Sequence, residues 1–173
     1  YNRSLTLHQE TGNLRFSSGV LQNLGLLEAG FGEFERALEY KRRAVETNEQ
    51  LQDMQALTMN YGDLGHTLSA VGSLSEARDA FTEAVERARD LNHDHFVAEF
   101  RGGRAFVRFE SGETTPALQE LEEALAIARE ASGTAHVEAV LEARMAAVES
   151  MAGDSGGAQR HLGRAREMLD DSG

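Results

Sequence analysis

The sequence predicts an all-α solenoid of about four antiparallel helix pairs, and three observations carry that reading. Residues of several kinds recur in one register at an interval of 40 along most of the chain. Good helix formers (Ala, Leu, Glu, Arg, Gln) dominate, and Pro116 is the single proline. A glycine stands at the same place in every unit, between two stretches of helical apolar periodicity. A many-stranded sandwich needs turn residues every few positions, which one proline and 6% aromatic residues do not supply.

The elements follow in order. Tyr1 to Glu10 align with Lys41 to Gln50, so residues 1–12 are expected to form a partial helix. The chain would then enter inside a repeat, as a piece of a longer protein does. The first unit, 14–52, divides into helices over 14–30 and 33–51. In the second, 54–92, Tyr61, Leu64 and Leu68 at i, i+3, i+7 predict a first helix over roughly 58–71. Gly72 ends it, and Ser73 with Glu76 forms a capping box for the next. Ala77, Phe81, Ala84 and Val85 line the inner face of that second helix. Gly65 and Ala77 allow close helix approach, and Phe81 fills the space beyond them. The third unit, 93–132, gives helices over 93–111 and 113–131. Pro116 falls in a first turn there, where a missing N–H costs little. The fourth, 134–171, gives 135–152 and 154–170, and residues 1–173 read as one domain.

The register is explicit. Asn23-Leu24-Gly25 returns 40 residues later as Asp63-Leu64-Gly65. Gly32 is followed at that interval by Gly72 and Gly112, and at 41 by Gly153. Ala37, Ala77, Ala117, Ala158 and Ala44, Ala84, Ala124, Ala165 keep the same spacing. The later units depart from the pattern at two places. Leu21/Leu24 and Tyr61/Leu64 become Arg101/Arg104 in the third unit and Glu142/Met145 in the fourth.

Composition excludes several function classes. A net charge of -12 and a pI near 4.9 oppose attraction to nucleic acid or anionic membrane, so neither partner is expected. There is no Cys, which removes disulfides, thiolate chemistry and Cys-ligated zinc. No stretch approaches 18 apolar residues and no signal-peptide pattern opens the chain, so a cytoplasmic location is expected. Lys41 is the only lysine among 17 basic residues, a compositional bias. No G-x-x-x-x-G-K-[ST], H-E-x-x-H or G-x-S-x-G occurs. Gly30 and Gly32 begin a G-x-G whose third glycine position holds Glu35. Glu39, Glu46 and Glu83 stand i, i+4 from Arg43, Arg42 and Arg87, which supports helices and not acid–base chemistry. No enzyme activity, cofactor or metal is expected.

The order of aromatic or Leu, then Leu-Gly, then Gly, then Ala, aromatic and Ala resembles the tetratricopeptide repeat. Its 40-residue spacing is similar to the longer variety of kinesin light chains, Pins-type polarity scaffolds and the sensor arrays of bacterial signalling ATPases and transcription regulators. The resemblance implies a right-handed superhelical solenoid that binds a protein partner, a peptide or a helix, in a concave groove lined by the first helix of each pair. It equally admits a ligand-sensing array within a larger regulator, or a homo-oligomer formed through exposed solenoid ends.

Carried onto this chain, the groove presents Gln22, Leu26 and Ala29, then Gly62, His66 and Ser69. It continues with Gly102, Phe106 and Phe109, and with Ala143, Ala147 and Ser150. The family's clamp for a peptide carboxylate needs Lys, Arg and Asn at these positions, which here are small or apolar. The wall instead suits an apolar peptide or helix, with Phe106 and Phe109 as anchors. The ordinary alternative has both rings packed on neighbouring helices. Arg101, Arg104 and Arg108 form a stripe at i, i+3, i+7 able to grip a carboxylate or phosphate. Pairing with Glu99, Glu110, Glu120 or Glu123 would make it a solvated face instead. His93-Asp94-His95 has the residue types of a metal site, but no further ligand stands at a suitable spacing, and the segment reads as an inter-repeat turn. His66 reads as a groove hydrogen-bonder or pH switch, or as an ordinary half-exposed histidine.

Overall fold

The computed structural model describes residues 14–131 and 134–170. The expected partial helix 1–12 lies outside them. Among the described residues there are eight α-helices and no strand: α1 (Leu14–Gly30), α2 (Phe34–Leu51), α3 (Met54–Ala70), α4 (Leu74–Asp90), α5 (Asp94–Glu110), α6 (Thr114–Glu130), α7 (Ala135–Met151) and α8 (Ser155–Asp170). They pair as the register requires, and the fold is an all-α helical repeat solenoid.

The turn inside each pair is the same device four times. Gly32, Gly72, Gly112 and Gly153 hold φ of 81°, 77°, 86° and 92°. At Gly32 the next amide, Glu33 N–H, reaches back to the Glu28 carbonyl at 2.9 Å. Ser73 to Leu68, Glu113 to Arg108 and Asp154 to Glu149 repeat that bond. A left-handed residue at the helix end thus satisfies carbonyls that would otherwise be orphaned, and glycine takes that conformation without a Cβ clash. Turns between pairs use Gln52 (φ 53°) and Asn92 (φ 55°) instead.

One helix start and one turn reading differ from expectation. The first helix of the second unit begins at Met54, not near residue 58, because Asp53 caps it by accepting the Ala56 N–H at 3.1 Å. Asp94 and His95 belong to the first turn of α5, with His93 at its cap, so that segment is helical and not a turn.

The chain folds as two compact units, one ending at Arg87 and the other beginning at Ala88. In the first, α1 packs on α2 and α2 on α3. Phe81 is 1% exposed there, and a Cβ on Gly65 would lie only 2.9 Å from its ring. Glycine at 65 therefore sets how closely this ring and helix approach. In the second unit α5 packs on α6, α6 on α7, α7 on α8, and α5 on α7. Leu121, Leu125, Leu141, Met145 and Val148 fill that core between Ala98, Ala105, Ala124 and Ala128. Each of the large side chains contributes about 1.5–3 kcal/mol of burial.

Candidate functional site

Because each first helix has a period of 3.6 residues, one of its faces is spent on its partner helix and another remains for a ligand. In the first unit Gln22 is half-buried and donates its side-chain amide to Asn60 of α3. It lines a cleft of about 350 Å³ with Asp53, Gln55, Ala56 and Met59. Leu26 is exposed and Ala29 half-exposed. Gly62 is buried and Ser69 half-buried. The His66 ring stands edge-on to Phe81, centroids 4.9 Å apart.

In the compact unit that begins at Ala88 the same column is arranged differently. Gly102 is buried where a Cβ would lie 2.2 Å from Leu141 of α7, so it is a point of close helix approach. Phe106 and Phe109 are half-buried, 6.1 Å apart, and pack with Leu118 against the unit's core. Ala143, Ala147 and Ser150 line an open cleft of about 490 Å³, whose other wall is Ser155, Ala158, Gln159 and Leu162 of α8.

The arginine stripe meets carboxylates. Arg104 Nε donates to Glu120 Oε1 at 2.7 Å, and Arg101 pairs with Glu123. Arg108 Nε lies 2.9 Å from Glu120 Oε2 without the alignment of a hydrogen bond, and Arg108 Nη1 reaches Glu113 at 3.3 Å. Glu120 is only 7% exposed, so these cations offset the loss of its hydration.

Sequence reasoning missed two arrangements. The first is a charge-reversed copy of this network in the fourth unit. Forty-one residues on, Arg101, Arg108, Glu120 and Glu123 become Glu142, Glu149, His161 and Arg164. Fully buried Glu142 bonds His161 Nδ1 and lies 3.8 Å from Arg164, and His161 Nε2 lies 3.6 Å from Glu149. Arg129 adds a bond to Glu142 at 2.7 Å. Comparing the departing positions across both helices of a pair, instead of helix by helix, would have shown it.

The second is Lys41. The register puts it where the later units hold Phe81, Leu121 and Leu162. It is 5% exposed, and its Nζ donates to the Asp63 carbonyl at 3.1 Å. Burial lowers the Lys41 amine below its ordinary 10.5, with the Asp63 charge opposing. Burial likewise raises the Asp63 carboxyl, with Lys41 opposing. A Cβ on Gly25 would meet Lys41 Cγ at 2.8 Å, so Gly25 admits the lysine stem between α1 and α2.

Among the described residues no group of three or more His, Asp or Glu is placed to hold a metal ion, and no helix is long and apolar enough to cross a membrane.

The comparisons agree with this architecture. The Tetratricopeptide repeat model matches residues 55–130, and the Anaphase-promoting complex subunit 5 model matches residues 3–66. Among solved structures, BtubC (BKLC) from P. vanneervenii is 17% identical with a TM-score of 0.76, covering 97% of this chain and 78% of that one. The apo form of RapI is 14% identical at 0.74, covering 97% and 68%. The TPR-like repeats of a Podosopora anserina kinesin light chain are 15% identical at 0.64, covering 97% and 92%. No curated protein matches in sequence. The tetratricopeptide repeat match covers somewhat less than half of the chain, and the solved structures share its helical repeat-solenoid fold.

Proposed function

We propose that the chain binds a partner protein by taking an apolar peptide or amphipathic helix on the face of its first helices, with the α7–α8 cleft as the principal seat. One observation carries this reading. Gly102, Phe106 and Phe109 of the third unit correspond to Ala143, Ala147 and Ser150 of the fourth. The phenylalanines of the third unit pack onto its core, whereas the small residues of the fourth leave a cleft of about 490 Å³ open. Small side chains along a helix let a second helix approach closely, and apolar anchors from the ligand would then fill the space. The role is binding, not catalysis: the cleft wall carries Ala, Ser, Gln and Leu, none of them suited to proton transfer at neutral pH.

A randomised library of displayed amphipathic helices, panned on the protein, tests this. Enriched sequences should carry apolar residues at i, i+3 and i+4. They should bind the Ala147→Arg variant at least about tenfold more weakly, since a charged side chain would then occupy the seat. Circular dichroism should show unchanged helicity. Equal binding to the variant would remove the α7–α8 cleft as the seat.

A further inference from the structure

The second and third units share a second slot, formed by the first helix of the pair and its partner. Its floor positions are Tyr61, Leu64 and Leu68 in the second unit and Arg101, Arg104 and Arg108 in the third. Its walls are Ala80 and Glu83 in the second unit and Glu120 and Glu123 in the third. In the third unit the chain fills the slot with its own arginines, held on Glu120 and Glu123, and about 210 Å³ remains. In the second unit no arginine rises from the floor, and a cleft of about 420 Å³ stands open.

The chemistry of that open cleft is definite. Leu64, Leu68 and Ala80 are 8%, 2% and 6% exposed and make an apolar floor. The walls set one cation, Arg42, against three carboxylates, Glu76, Asp79 and Glu83. Arg42 already pairs with Glu76 at 2.8 Å and Arg87 with Glu83 at 2.9 Å. Asp79 is exposed and pairs with no cation among the described residues. Tyr61 is a fixed platform: its hydroxyl donates to Glu49 at 3.0 Å, and the Arg87 guanidinium lies over its ring at 4.9 Å. The cleft therefore keeps Glu83 from the third-unit pattern, adds Glu76 and Asp79, and has no arginine at its floor positions, the one guanidinium in its lining being that of Arg42.

We propose that this cleft is the docking site for an arginine-bearing segment of a partner protein. The arginine stem lies on Leu64 and Leu68, and its guanidinium is held by Asp79 and Glu83 beside the Tyr61 ring. Two independent features point to that occupant. The surplus of carboxylates complements a cation, and the corresponding slot of the third unit is filled by guanidiniums on carboxylates. Arginine suits the site better than lysine because its planar fork bonds two carboxylates while its face stacks on an aromatic ring. The site shares no residue with the α7–α8 cleft and does not depend on it.

The test uses the full chain, isotope-labelled for NMR, titrated with the peptide Ac-Ala-Leu-Arg-Ala-Leu-Arg-Ala-amide. A control peptide carries citrulline, isosteric but uncharged, in place of arginine. The expected result is a saturable shift of the Tyr61, Leu64 and Ala80 resonances, with the citrulline peptide about tenfold weaker or more. Tyr61→Arg with Ala80→Glu builds the third unit's own ion pair into the slot, and it should abolish the shifts while leaving the melting curve cooperative. Should that pair disturb folding, Asp79→Asn with Glu83→Gln keeps the shape, removes the charge, and should weaken binding by a similar factor. Shifts spread over the acidic surface without saturation, or equal binding by the citrulline peptide or by the Asp79→Asn/Glu83→Gln protein, overturn the proposal.

Discussion

Lys41 shows what one residue does when a repeat departs from its own pattern. It occupies an apolar core position, 5% exposed, with the Asp63 carbonyl as its hydrogen-bond acceptor. Desolvation dominates at both members, lowering the amine and raising the carboxyl, so the pair is held at a cost the attraction does not fully offset. Lys41→Met combined with Asp63→Leu should therefore match the parent stability at neutral pH or exceed it, by up to about 4 kcal/mol. The pH dependence has a definite sign. Between the lowered native value and the ordinary 10.5, the unfolded chain holds the lysine proton and the native chain does not. Stability contributed by this site then rises with pH through that window. Urea titrations of wild type and Lys41→Met across the window should shift in favour of wild type as pH approaches 10.5. A constant difference would mean that the amine stays hydrated.

At the scale of the element, helix starts rest on unequal devices. Asp53 caps α3 through the Ala56 amide at 3.1 Å, and Asp154 caps α8 through Gly157 at 2.9 Å. Glu33 and Glu113 stand at cap positions and make no such bond. Asp53→Ala should cost about 1 kcal/mol, read as a lower thermal midpoint, while Glu33→Ala should cost little. Equal losses would show that charge near the helix N-terminus, and not the cap bond, is what matters. The helices themselves were legible in the sequence to within a residue or so, because Gly32, Gly72, Gly112 and Gly153 supply a left-handed conformation that other residues resist. The start of α3 was not. Apolar spacing marks only the buried face, and the turn ahead of Leu57 is fixed by a side-chain bond that leaves no periodic trace.

At the scale of the molecule, two compact units each carry their own buried apolar residues. Arrays of repeats are stabilised chiefly by nearest neighbours, so damage in one place opens the adjacent elements first. Leu141 is fully buried and covers Gly102. Leu141→Ala should cost about 2–5 kcal/mol and accelerate amide exchange in α5, α7 and α8 before α2 and α3. Uniform acceleration along the chain would show a single cooperative unit instead. The 40-residue register determined the helix pairs, their glycine turns and the alanines of the core, because backbone conformation and side-chain size at each position are local demands that sequence states directly. Only tertiary structure decided which slots stay open. Arg101, Arg104 and Arg108 have the same spacing whether they face a phosphate or Glu120, and Ala143 has the same periodicity in a core as in a cleft. Whether a site is filled by the chain or left for a partner depends on what a second helix brings to it, and that pairing is settled by packing across the fold.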